Sequence, residues 1–415
     1  MVTLGFFDPG HFHAALTLKS PNPRINPVVH LYAAPGADRE AFLSLVAAFN
    51  SRDEAPTRWQ VEVHEADNPL SALVDEGRVD AVVLAGRNQH KLATIAALHA
   101  AGIAVLADKP WLTTPEALAH LDAVTAGGPL VMDIMTSRFD PTAQLRRVVA
   151  NTSAVFGDFI SAEAGVGVEL GSRHHLHKLV NGAPLIRPEW YFDRNVQGDG
   201  LVDIQSHMID QAQWLLDSEV SWKPDTNSLL GVEAWPTHVD ATLYHDITGA
   251  TPFPAMLAGD VVGDVLHYTC NGQINFTIHG VQVQTRAEWG GKEPAGGGDL
   301  HHSITRGTHA EIHMRHGPQT NFLPELHLCG ANTEAVYASW PDWVEAFPGL
   351  TREPSDIGVR LILPQSLRST HESHFCMVLN DFLDLLEAGT WSASLAAQIR
   401  ARYTLIATAK SRAEA

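Results

Sequence analysis

Cysteine is scarce, with three residues in 415, and Cys270, Cys329 and Cys376 lie far apart. An odd, scattered set excludes a disulfide framework, and no pair has zinc-ribbon spacing, which fits a reducing compartment. No apolar run approaches the ~20 residues that span a bilayer. Residues 2–7 already read as a buried strand, without the basic and apolar stretches of a secretion signal. A cytoplasmic protein with no membrane partner is expected. Positive charge is also short: 28 Lys and Arg against 47 Asp and Glu leave a net charge of −19. A nucleic-acid binder needs a basic stripe to displace counterions, and no Lys/Arg cluster here forms one.

What is present suits a globular chain: 45% hydrophobic and 18% charged residues over a length that allows two domains. Histidine is abundant at 23, with His174, His175 and His177 close together, His301 beside His302, and His309, His313 and His316 further on. His309, Glu311 and His313 alternate with Ala310, Ile312 and Met314, as on a strand with one exposed polar face, so no metal site is expected. Residues 174–177 read as a loop, and the sequence does not choose which histidine points inward.

Short apolar strands at residues 2–7, 28–33, 61–65, 79–85, 103–107 and 130–134 alternate with helices at 11–19, 39–49, 69–76, 90–101 and 114–126. Continuously apolar strands alternating with helices imply a parallel sheet covered on both faces. Right-handed crossovers then give a doubly wound Rossmann sheet over residues 1–148. From 149 to 415 the pattern turns β-rich, with strands at 159–168, 263–269, 273–288 and 309–315 and a glycine-rich loop at 290–298. Helices are expected at 200–216, 371–388 and from Ser392 onward. The expectation is α/β overall: the Rossmann sheet, then an α+β domain with a largely antiparallel open sheet, its last helices packing back on the first domain.

In such a fold the first βα turn receives a dinucleotide's pyrophosphate. That turn reads Gly5-Phe6-Phe7-Asp8-Pro9-Gly10-His11-Phe12-His13. Against G-x-G-x-x-G, Asp8 stands at the first glycine, Gly10 keeps the second and His13 stands at the third. Asp8, Pro9, Gly10, His11 and Phe12 are candidate cofactor contacts. The Asp8 carboxylate faces phosphate unless it caps the following helix. After the second strand come Tyr32-Ala33-Ala34-Pro35-Gly36, with Asp38 and Glu40 further along and no arginine at the tip. This favours NAD and leaves NADP open.

More specific segments lie further along. Asp108-Lys109-Pro110 resembles the E-K-P segment after the fifth strand of the Gfo/Idh/MocA oxidoreductase family, with Asp in place of Glu. Arg87-Asn88-Gln89-His90 is similar in part to the family's P-N-x-x-H loop. The segment from Gly198 to Asp210 resembles its G-G-x-x-x-D-x-x-x-H-x-x-D helix, placing Asp203, His207 and Asp210. The resemblance runs over essentially the whole chain, and the segments around His301 and Arg306 resemble a sub-group of oxidoreductases with a distinctive C-terminal domain. It implies that Arg87, Asn88, His90, Asp108, Lys109 and Pro110 line the nicotinamide, that Lys109 and His207 share proton transfer, and that Asp203 positions a substrate hydroxyl. It also implies a homo-oligomer built on the exposed sheet.

The residue chemistry agrees. Asp203 and His207, four apart, share a helix face, and a carboxylate beside an imidazole orients it as a base. The Lys109 ammonium would steady a developing alkoxide, and Pro110 biases Lys109 toward an extended backbone. Arg138 either contacts substrate or seals the domain junction. Trp190, with Tyr191 and Phe192, either stacks on a sugar ring or packs in the core. The expected activity is NAD(P)-dependent hydride transfer from a secondary alcohol of a sugar, glycoside or polyol. The alternatives are a glycoside hydrolase or lyase using NAD transiently, and a non-catalytic nucleotide-binding regulator.

Overall fold

The structure is a computed structural model that describes residues 1–180, 183–216, 222–225, 227–389 and 393–414. The chain divides into two compact units, residues 1–139 with 369–407, and residues 140–368 with those from Thr408 onward. Among the described residues, no helix is long and apolar enough to cross a membrane.

The first unit holds six parallel strands: β1 (Leu4–Phe7), β2 (Val28–Tyr32), β3 (Gln60–His64), β4 (Ala81–Leu84), β5 (Ala104–Ala107) and β6 (Val131–Asp133). Their spatial order is β3-β2-β1-β4-β5-β6, a doubly wound arrangement whose switch point falls between β1 and β4. The central strands are short and apolar because both faces are covered: every residue of β4 and β5 is buried. Leu4, Phe6, Val29, Leu31, Val83 and Leu106 pack in one core with Phe375, Val378, Leu379 and Phe382. The last four recur at helical spacing on helix His371–Ala388, which lays that stripe on the sheet. Two helices are shorter than their sequence suggests. The one expected at 11–19 is a single turn, His13–Leu16. The one expected at 114–126 is a 3₁₀ segment, Pro115–His120, followed by helix Leu121–Thr125.

The second unit is built on a ten-stranded sheet. Its strand β7 (Val166–His177) lies between Val281–Lys292, which runs parallel to it, and Leu300–Arg306, which runs antiparallel. The other pairings in this sheet are antiparallel. One face is apolar, with Leu176, Tyr268 and Cys270 buried in a core to which Trp289 adds. Helix Gln205–Leu216 packs on strands Val265–Ile278 and Val281–Lys292. The turn preceding it lies directly on sheet backbone: a Cβ at Gly200 would come within 2.2 Å of the Asn271 carbonyl, and one at Gly272 within 2.4 Å of the Gly200 oxygen. The opposite face is charged, with Arg306 bonded to Glu169 and Arg286 to Glu288.

Several expectations for this half are corrected. Residues 174–177 lie within β7 rather than a loop; polar side chains on the inner face disguised the alternation. Phe159 makes only an isolated bridge to Gly307, and β7 begins at Val166. Gly290 and Gly291 belong to a strand that ends at Lys292, so the glycine-rich loop starts later. The helix expected from 200 begins at Gln205. Strand Leu229–Asp240 and helices Ala241–Thr248 and Thr333–Ala346 had no clear sequence signal. The final helix is described as Ala393–Glu414, and Ser392 lies outside the described residues.

Candidate active site

In the first unit the candidate residues gather at the C-terminal ends of β1, β4 and β5. Asp8 leaves β1 with φ of 41° and donates its N–H to Tyr32 O at 3.1 Å. Gly10 N–H returns to Asp8 O at 2.8 Å, and His11 N–H reaches Ala85 O at 3.0 Å, so the loop is tied down on β4. That closeness requires a glycine outside the loop: a Cβ at Gly86 would come within 2.2 Å of Asp8 O. Asp8 does not cap the following helix. Phe12 is the N-cap, without a side-chain cap bond, and Arg87 contacts both Asp8 oxygens at 3.4 Å. Arg87 also reaches Asp38 at 2.8 Å, bringing that acid from the first turn of helix Ala37–Ser51 to this edge. Pro9 is buried, while Phe12 and His90 are exposed.

Asp108, buried at the end of β5, uses both carboxylate oxygens. Oδ1 accepts the Lys109 N–H at 3.0 Å, and Oδ2 lies 2.8 Å from His13 Nδ1. Burial alone would raise its pKa, but His13, Lys91 and His11 outweigh that and hold the carboxyl well below its usual range. His11 moves down as well, through burial and then the neighbouring His13, with Asp108 opposing. Buried Lys91 donates to Asp108 O at 2.9 Å and to the Asn88 side chain. Lys109 is half-buried, and the Lys109–Pro110 peptide is cis. Arg138 donates to Gln398 at 3.0 Å within this unit. Among the described residues, two histidine–carboxylate groups have donor atoms within 4.8 Å of one another: His11, His13 and Asp108, and His30, Glu62 and His64. In the second group His30 Nδ1 meets His64 Nε2 at 2.9 Å, and His64 Nδ1 meets Glu76 at 2.9 Å.

In the second unit, Asp203 is buried in the turn ahead of helix Gln205–Leu216, and half-buried His207 lies in its first turn. The turn carries helix-like bonds, from Asp203 N to Asp199 O at 3.2 Å and from Met208 N to Ile204 O at 3.4 Å. Asp203 acts electrostatically on Tyr191, Tyr268 and Cys270. Burial raises all three, Cys270 up to about 12, so its thiol stays protonated. Asp199 is ion-paired with buried Lys410, and Asp210 is fully buried. In the aromatic group, Tyr191 and Phe192 are core residues and Trp190 is half-buried. Sequence reasoning missed Gly86, whose only signal is a glycine just after a strand. It also left Lys91 without a role.

The family model described as "Oxidoreductase family, NAD-binding Rossmann fold" matches residues 28–130. A second, "Putative oxidoreductase C terminal domain", matches residues 145–414. The chain belongs to the Gfo/Idh/MocA oxidoreductase family. The solved structure of a "putative oxidoreductase" from Parabacteroides merdae is 32% identical to this chain, with a TM-score of 0.95, over 100% of this chain and 97% of that one. Inositol 2-dehydrogenase 2 of Saccharopolyspora erythraea is 32% identical over 182 residues, 42% of this chain and 47% of that protein, so the match spans about half of this curated relative. A levoglucosan dehydrogenase solved with NADH and levoglucosan shares the fold at a TM-score of 0.59 and 15% identity, over 99% of this chain and 97% of that one.

Proposed function

We propose that this Gfo/Idh/MocA protein is an NAD-dependent dehydrogenase oxidising a secondary alcohol of a sugar or polyol, with Lys109, Asp203 and His207 handling the proton. The observation that carries the reading is the C-terminal edge of the doubly wound sheet. There the loop from Asp8 to Phe12, the segment from Arg87 to His90, and Asp108-Lys109 all leave neighbouring strands at the switch point where this fold binds dinucleotides. The residues fit such a ligand. Arg87 and Lys109 supply cationic groups along this edge, and the Asp8 carboxylate is offset by Arg87. Asp38 supplies the acid that ribose hydroxyls bond to in NAD-binding folds, which favours NAD over NADP.

A bound nicotinamide would supply the hydride acceptor at this edge. His207 takes the alcohol proton, Asp203 orients the hydroxyl, and the Lys109 ammonium steadies the negative charge growing on oxygen. Asp108 fixes the lysine backbone through its bond to Lys109 N–H. The relatives named for inositol and levoglucosan support a polyhydroxylated ring as the substrate class.

The test is NADH formation by the full chain on neutral polyols and sugars such as myo-inositol and levoglucosan. One NADH per alcohol oxidised is expected. Release of an aglycone from a glycoside without net NADH would replace this reading with redox-assisted hydrolysis.

A further inference from the structure

The outer edge of the first unit's sheet carries a polar cluster that the proposed chemistry does not use. Side chains alternate across a strand, so His30 and Tyr32 of β2 share one face with Glu62 and His64 of β3. The parallel register sets His30 opposite Glu62 and Tyr32 opposite His64. In a doubly wound sheet this surface is ordinarily apolar. Here helix Pro69–Glu76 packs against β2 and brings in the Glu76 carboxylate at its end. The two imidazoles face each other, with His30 Nδ1 2.9 Å from His64 Nε2, and Glu62 Oε2 lies 3.6 Å from the same His30 nitrogen.

His64 is held in one tautomer. Glu76 Oε2 accepts from His64 Nδ1 at 2.9 Å, from the Tyr32 hydroxyl at 3.0 Å and from Arg78 Nε at 3.1 Å. An ionised carboxylate only accepts, so the His64 proton sits on Nδ1 and Nε2 turns its lone pair toward His30 and Glu62. Tyr32 stacks on His64, the rings 4.3 Å apart and 13° from parallel, and fixes its plane. A carboxylate bonded to the far nitrogen of an imidazole is the arrangement that orients a metal-ligating histidine.

The spacing also suits an ion. The ligand atoms of His30, Glu62 and His64 lie within 4.8 Å of one another. Tetrahedral zinc, with bonds of about 2.0–2.2 Å, sets neighbouring ligand atoms about 3.3–3.5 Å apart. The 2.9 and 3.6 Å separations bracket that value. Zinc would replace the bond between the imidazoles, with His30 binding through Nδ1 and carrying its proton on Nε2. Both histidine side chains are 9% exposed and that of Glu62 is 51% exposed, so the Glu62 side is open to an entering ion and to a water as fourth ligand. Two imidazoles and a carboxylate favour zinc, whereas magnesium and calcium take oxygen ligands.

We propose that His30, Glu62 and His64 form a zinc site, completed by water, that fastens β3 to β2. Strand β3 ends the sheet and none of its residues is buried, so its own packing holds it weakly. The proposal does not depend on the dehydrogenase reading.

The test is zinc binding to the EDTA-stripped full chain, by calorimetry and by competition with a chromophoric chelator, with magnesium as control. Wild type should bind one zinc ion with a Kd of about 10 µM or tighter and should not bind magnesium there. Glu62→Gln and His64→Gln should each weaken that site at least about tenfold, and zinc should raise the thermal midpoint of wild type but not of Glu62→Gln. Circular dichroism checks the fold of each variant. Glu62→Gln, at an exposed position, decides alone if His64→Gln does not fold. A wild-type Kd weaker than about 10 µM, or undiminished zinc binding by either folded variant, overturns the site. The cluster is then a hydrogen-bonded chain only, and any bound zinc sits elsewhere among the 23 histidines.

Discussion

Asp108 in the first unit and Asp299 in the second are both bonded to an imidazole, and they differ in what is left over. Asp108 commits one oxygen to Lys109 N–H and the other to His13, so the chain itself satisfies it. Asp299 places both of its donors, His174 and Lys178, on one oxygen and leaves the other, with Nε2 of His174, unpaired. The same pair of residue types thus serves two ends. A saturated pair fixes backbone, here the loop and the lysine beside it. The unsaturated pair holds its shape through one half and leaves the other half closed off without a partner. The distinction lies in counting hydrogen bonds, since residue identity is the same in both.

Asp108→Asn should give the largest change in stability. It removes one partner of a buried, charge-assisted pair, for which a loss of about 3–5 kcal/mol is typical, and should be seen as a lower denaturant midpoint. The pH dependence has a definite sign. A carboxyl whose folded pKa lies below its unfolded value of about 3.9 contributes stability that is present above that value and lost as pH falls through the folded pKa. Wild type should therefore lose stability below about pH 4, and Asp108→Asn should flatten that decline. If the variant unfolds at the wild-type midpoint, Asp108 is no clamp and the comparison fails.

Gly86→Ala comes next. The added Cβ would stand within 2.2 Å of Asp8 O, so the loop must shift. NAD affinity should drop at least roughly tenfold in calorimetry, because a displacement of about 1 Å in a binding loop is enough to cost that much. Polyol binding should hold, as the second unit is untouched. Unchanged NAD affinity would mean that this loop does not contact the cofactor. Asp299→Asn should have the smallest effect on stability, about 1 kcal/mol or less in thermal unfolding, since its ion pairs are partly exposed. A loss as large as that of Asp108→Asn would make the two pairs alike.

Much of this was legible in the sequence where the signal is local. Strands β1, β4 and β5 of the first sheet are unbroken apolar runs, and Asp108-Lys109-Pro110 and the Asp203–His207 spacing are contiguous motifs. What stayed hidden depends on contacts between distant segments. The partner of Asp8 is Arg87, beyond the next three strands, so helix capping looked equally suitable. The role of Gly86 follows from how closely another loop approaches it. His174 looked like a loop residue because polar side chains on the sheet's inner face mask a period of two. Its pairing with Asp299 follows from strand register, which composition and spacing do not determine.

The central claim is a nicotinamide-dependent alcohol oxidation in which His207 is the base and Lys109 steadies the oxygen. Its most direct test is the initial rate of NADH formation on a neutral polyol, for wild type, His207→Gln and Lys109→Met, with NAD affinity measured on the same samples. The account predicts that wild type forms NADH, that His207→Gln keeps NAD affinity within a few-fold of wild type, and that Lys109→Met, which removes a cation from the cofactor edge, binds NAD more weakly but measurably. Each should lose at least about a hundredfold in kcat. NAD binding absent from wild type, or NADH formed at undiminished rates by both variants, would contradict it.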